Sequence, residues 1–123
     1  MANEHLLVHI DTIVSDGVPM AFEDGSATIS GAHRFENTVV PSAQGDDFAR
    51  RSRVPTTMRF RYQFNNQADP VRMSAAKDIQ MTFRDSQSGR RGTCRKCMFG
   101  TMGDIGGGPV DMTYLLLSPI EWL

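Results

Sequence analysis

Both cysteines of the chain fall in one short stretch, "GTCRKCMF" (residues 92–99), as Cys94 and Cys97. A Cys-x-x-Cys pair can give two thiolates to zinc, cycle through a disulfide, or simply pack. Structural zinc needs four ligands, and the histidines available to complete the set are His5, His9 and His33. On a helix, His5 and His9 would share one face and finish a Cys2His2 site with Cys94 and Cys97. On a strand the two histidines lie roughly 13 Å apart, too far for one ion. A redox role calls for a thioredoxin-like βαβ setting, which the pattern does not offer. Because the histidines sit in sequence that favours strand, both thiols are expected to be unlinked packing residues, without metal or cofactor.

The remaining motifs carry little chemistry. "GDIGGGPV" (103–110) lacks the Lys-Ser/Thr of a P-loop, and Pro109 removes a donor that an anion cradle would use. There is no Gly-x-Ser-x-Gly and no His-Glu-x-x-His, and the acid pairs Glu23-Asp24 and Asp46-Asp47 lie in turn-like sequence. The chain therefore reads as a non-enzyme. "ARRSRVPTTMRFRYQF" (49–64) is the strongest binding candidate, with five arginines beside four aromatics once Phe48 is counted. A platform for single-stranded nucleic acid needs both residue types on one exposed face. Here Arg59 and Arg61 alternate with Phe60, Tyr62 and Phe64, so the aromatics are expected to point inward.

Charge is segregated behind a net value of −1. All 13 Lys and Arg lie between Arg34 and Lys96, against six acids there, so that stretch carries +7 (13 − 6). The first 33 residues contain five acids and no base, and the acids after Lys96 are Asp104, Asp111 and Glu121. Eleven of the bases are Arg, whose planar fork suits interfaces and paired hydrogen bonds. Unlike patches on one chain would steer and register contacts between copies. The length of 123 residues suits a single domain over the whole chain. There is no basic-then-apolar leader, and "TYLLLSPI" is too short to span a bilayer, so a soluble, cytoplasmically folded protein without membrane contact is expected.

The elements read mostly as strands. "MRFRYQF" (58–64) and "DIQMTFRD" (78–85) alternate with period two, placing Tyr62, Phe64, Ile79, Met81 and Phe83 in the core. "NNQADPVRMSAAK" connects them, and "VDMTYLLLS" is a further strand ended by Pro119. "HLLVHIDTIV" has both a strand face and a helix face, but its β-branched residues and the following "SDGVP" favour strand and hairpin. "AFEDGSATISG" supplies a turn and a short strand, and "GTMGDIGGGPV" a glycine-rich loop. "ENTVVPSAQGDDFARRSRVP" (36–55) shows no sustained period and is expected as a long functional loop. The sum is an all-β or β-rich sandwich or barrel of about six strands, with one short helix near Cys94–Phe99. Trp122 is either a lid on the core or a pin into a neighbour.

Taken in order, these pieces resemble a known plan. "GAHRFENTVVPSAQGDDFARRSRVP", through Arg34, Glu36, Gly45, Val54 and Pro55, is similar to a segment of the short tail tube proteins of contractile-tailed, Mu-like bacteriophages. "DIQMTFRDSQSGRRGTCRKCMFG" resembles that family's strand, turn and short helix, and "GGGPVDMTYLLLS" its final strand. The resemblance implies a small sandwich or barrel with one helix, hexameric rings, and stacking into a hollow conduit for genome ejection. It implies a structural virion protein, assembled in the host cytoplasm. The partners would be copies of itself, tail sheath, tape measure, baseplate hub and tail terminator proteins, with viral DNA passing non-specifically. On this reading Asp46, Asp47, Phe48, Arg50, Arg51 and Arg53 make inter-subunit contacts, with Phe48 as anchor and Arg59 and Arg61 in support. Glu4, Asp11, Asp16, Asp104 and Asp111 are candidates for an acidic lumen. A small monomeric nucleic-acid- or zinc-binding module is the alternative.

Overall fold

The computed structural model describes residues 6–66 and 68–123, which form ten strands and one short helix. The strands are β1 Thr12–Ser15, β2 Val18–Pro19, β3 Thr28–Ser30, β4 Phe35–Val40, β5 Phe48–Arg53, β6 Thr56–Tyr62, β7 Ile79–Arg84, β8 Arg91–Met102, β9 Val110–Leu116 and β10 Ile120–Trp122. The β-rich fold expected from the alternating pattern is therefore what the chain adopts. The main antiparallel sheet runs β2-β1-β7-β8-β9-β6-β3, with β10 continuing the edge of β8 that β9 leaves free.

This sheet joins its own ends. Residues 18–20 bond to β1, and the next residues bond to β6: Phe22 bridges Tyr62, Gln63 N–H donates to the Ala21 carbonyl, and Glu23 N–H to the Arg61 carbonyl. One stretch of chain thus spans both edges, and the sheet closes into a barrel of about six staves. β6 shows why the closure is stable. Met58, Phe60 and Tyr62 turn inward while Arg59 and Arg61 turn out, and β7 and β9 repeat the alternation. Phe60 stacks on Tyr114 at 5.8 Å, Phe22 meets Phe60 edge-on, and Phe99 meets Tyr114 edge-on. Tyr62, Ile79, Met81 and Phe83 are buried as expected, and Phe64 packs half-buried against them.

Three sequence expectations are corrected. The stretch Cys94–Phe99 is not a helix but the middle of β8, the longest strand. The single helix, α1, is Pro70–Ser74, inside what reads as a plain connection. Asp69 caps it, accepting from Val71 and Arg72 N–H, and Pro70 sits in the first turn, where no donor is needed. Residues 36–55 are not a loop but largely the β4–β5 hairpin, which has no sequence period because it has no buried face. Among the described residues at the start of the chain, which begin at residue 6, strand begins at Thr12. The "SDGVP" turn does form, with Asp16 and Gly17 at φ 50° and 81° joining β1 to β2. Trp122 is exposed and lies edge-on to the core residue Phe83, ring centroids 5.5 Å apart.

Phe60 stands at the centre of the aromatic cluster with 1% of its surface exposed. Phe60→Ala is expected to lower the unfolding free energy by about 3–5 kcal/mol, read from the urea midpoint.

Candidate functional site

β4 and β5 form a two-stranded sheet of their own, bonded to no strand of the barrel. All their residues are exposed except Val40, which is half-buried. Register from Phe35↔Arg53 to Val40↔Phe48 puts Phe35, Asn37, Val39, Ala49, Arg51 and Arg53 on one face. Glu36, Thr38, Val40, Phe48, Arg50 and Ser52 share the other. The Arg51 guanidinium lies 4.4 Å over the Phe35 ring, while Arg50 and Arg53 make no ion pair among the described residues. Phe48 is 71% exposed.

Between the strands, Asp47 Oδ1 accepts from Ser42 N–H at 3.0 Å, and Gly45 takes a φ of 89° that favours glycine. The root is pinned more firmly than the tip. Val54 N–H donates to the Arg34 carbonyl at 2.7 Å, and the Thr56 hydroxyl to the Gly31 carbonyl at 2.8 Å. Gly31 sits at φ 75°, where a Cβ would overlap the Pro55 carbonyl oxygen. Asp46, Asp47, Phe48, Arg50, Arg51 and Arg53 thus belong to one projecting arm, with the acids at its tip and arginine nearest its root.

Arg59 and Arg61 lie elsewhere, on the outer face of β6. Arg61 is already matched within the chain, its Nη1 2.9 Å from Glu23 Oε2 and its Nε 3.6 Å from Asp111 Oδ1. Arg59 sits opposite Thr113 with no ion pair among the described residues. Phe60 and Tyr62 are buried behind them, so β6 offers no exposed stacking surface. The candidate lumen acids gather only in part. Asp16, on a turn, and Asp104, on a loop, lie at the end reached by the second half of β8; Asp111 is beside Gly103 at the same end but faces Arg61, and Asp11 is at the opposite end. Glu4 and His5 fall outside the described residues.

The cysteine pair is placed by a bulge. Ile79 pairs with Cys97 but Met81 with Cys94, so β8 spends three residues where β7 spends two. That extra residue turns both side chains inward despite their odd spacing, and both are fully buried. Burial and the neighbouring Cys94 push the Cys97 thiol up. Burial also pushes Cys94 up, but hydrogen bonds led by the Ser118 hydroxyl outweigh it and leave this thiol below its usual value. His9 Nε2 is 3.0 Å from Asp24 Oδ1, on the barrel surface, far in function from the thiols it would have to join. No group of three or more potential metal ligands occurs among the described residues.

No protein-family model matches the chain, and no curated protein matches it. The site therefore rests on its own geometry.

Two features escape the sequence reading. Arg34 ends up at the hairpin root with φ 66°, signalled only by the Gly31-x-x-Arg34 approach to β4. Arg84 and Arg91 face each other across the β7–β8 ladder, with the Arg90 guanidinium 5.1 Å over Trp122. Like charges opposite one another oppose pairing, and only the register shows them.

Buried Asp85 clamps the β7–β8 turn. It accepts from His9 N–H at 2.9 Å, Ser88 Oγ at 2.8 Å and Gln87 N–H at 3.0 Å, and these donors, His9 foremost, hold its carboxyl down at about 2. A depressed folded-state value stabilises fully above the ordinary 3.8, and that contribution is lost as pH falls toward 2. Asp85→Asn is expected to be less stable near neutrality and to lose less stability on acidification, in urea titrations across that range. The thiols give a second check. Neither cysteine is expected to react with a thiol reagent in the folded protein, both should react in denaturant, and added zinc should leave the melting temperature unchanged.

Proposed function

We propose that the chain is a structural subunit that assembles with copies of itself into stacked rings, the tube of a bacteriophage tail. The observation that carries the reading is the β4–β5 hairpin, a ribbon with water on both faces and both edges. An isolated two-stranded hairpin is marginal in water, and this one exposes Phe35, Val39 and Phe48 together with unpaired arginines. Such a ribbon is completed by burial against another molecule. The resemblance of residues 31–55 to the corresponding segment of Mu-like tube proteins supplies the identity of that molecule, a neighbouring copy. In this reading the acids Asp16, on a turn, and Asp104, on a loop, both exposed at one end, contribute to a negative bore past which DNA slides without sticking. Arg50, Arg51, Arg53 and Phe48 hold the neighbour.

One observation favours a second reading. The hairpin, unlike β6, does present arginines and aromatics together in the open, which meets the requirement for stacking on single-stranded nucleic acid. The acids Glu36, Asp46 and Asp47 on the same arm work against it.

The purified chain is expected to elute in light-scattering chromatography as a multiple of 13.7 kDa, and to show rings or tubes in negative stain. Phe48→Ala with Arg53→Ala should leave the circular dichroism intact and abolish those assemblies. A folded monomer at every concentration, binding a labelled single-stranded oligonucleotide with steep salt dependence, would replace this reading with the second one.

A further inference from the structure

We propose that the groove at the root of the hairpin is a socket for the hairpin tip of a second copy. The proposal rests on the self-assembly reading above and names the surface that receives the arm. A pocket of about 330 Å³ opens between the root and the end of β9, lined by Arg34, Arg53, Pro55, Leu115 and Leu117 among others. Its walls are largely aliphatic, with Arg34 and Arg53 at the hairpin side. Arg34 Nη1 is buried without a hydrogen-bond partner, and neither Arg34 nor Arg53 makes an ion pair among the described residues. Arg34 as a whole is half-buried, but an enclosed guanidinium N–H without an acceptor is costly, and a carboxylate is the group that relieves it most directly. Arg34 also holds a left-handed backbone with φ 66°, rare for a side chain of its size and a mark of functional positions.

The tip of the same arm carries the matching chemistry. Asp46 and Asp47 lie side by side there, followed at once by the exposed ring of Phe48. Two carboxylates beside an aromatic complement two guanidiniums beside an aliphatic wall. The tip cannot serve its own root. Six paired positions separate the two ends of the ribbon, a span of roughly 20 Å at the rise of a strand, and the paired strands prevent it from folding back. The occupant is therefore another molecule's tip. A tip-into-root contact is heterologous, so it repeats head to tail and either closes a ring or extends as a filament. Asp104 and Ile105, another exposed acid-apolar pair, lie on the glycine-rich loop and offer a single carboxylate.

The test is a charge exchange in the full chain. One variant carries Asp46→Arg and Asp47→Arg, a second carries Arg34→Glu and Arg53→Glu, and a control carries Asp104→Arg. Each of the first two is expected to be folded by circular dichroism and monomeric alone. An equimolar mixture is expected to recover assemblies of wild-type size, because each tip again meets an opposite root. The control should assemble normally. Since Arg34 variants risk misfolding, Ala43→Cys and Leu117→Cys chains provide a second reading: mixed and oxidised, they should give a covalent ladder whose links join different chains. If the wild type assembles while both charge variants still assemble alone, or no intermolecular link forms, the socket is refuted and self-assembly stands. If only Asp104→Arg disrupts assembly, the glycine loop is the occupant and the socket is refuted. If the wild type never assembles, both readings fall together.

Discussion

A ribbon of two strands can satisfy only half of its backbone hydrogen bonds, and it has no interior. That constraint governs the β4–β5 hairpin and, through it, the rest of the account. The arm's ladder is held by its root, where Gly31, Arg34 and Val54 fix the entry and exit of the chain, and by the Arg51–Phe35 contact along one face. Among the described residues nothing covers Phe48, Val39 or the outer edges. Free energy to order this segment must come from outside it.

The barrel has no such need. Its edges meet through the residues that run from β2 past Phe22 to β3, and its centre is filled by Phe60, Phe83, Tyr114 and the methionines around them. On the proposed reading, folding and association are thus separable. The core can form in one chain, and the arm can be altered without touching that core. Arginine is spread over the joint (Arg34), β5, the outer face of β6, α1 (Arg72) and the β7–β8 region. Among these arginines only Arg34, half-buried at the joint between arm and barrel, has an enclosed side-chain nitrogen without a hydrogen-bond partner.

How far the sequence carries can be judged residue by residue. β6, β7 and β9 were legible because one face is buried and the other wet, which writes a period of two into "MRFRYQF" and "DIQMTFRD". β8 was not, because bulges beside Cys97 and at Gly100 reset its alternation, and a three-residue spacing of inward cysteines looks helical. α1 announced itself through Asp69 and Pro70, but five residues are too few to show a helical face. The hairpin left no period at all, since every side chain faces water. The acids, Phe48 and three arginines singled out from its composition do lie on one hairpin. Arg61, by contrast, is already neutralised by Glu23 and Asp111. Arg34 became a candidate only when the root pocket was visible.

Hydrogen–deuterium exchange across a dilution series addresses the hairpin directly. If neighbouring copies complete the arm, amides of residues 35–53 gain protection as concentration rises, while those of β6 and β9 stay equally protected throughout. Hairpin amides that are fully protected in the most dilute sample, or that remain open at the highest concentration reached, would contradict the account.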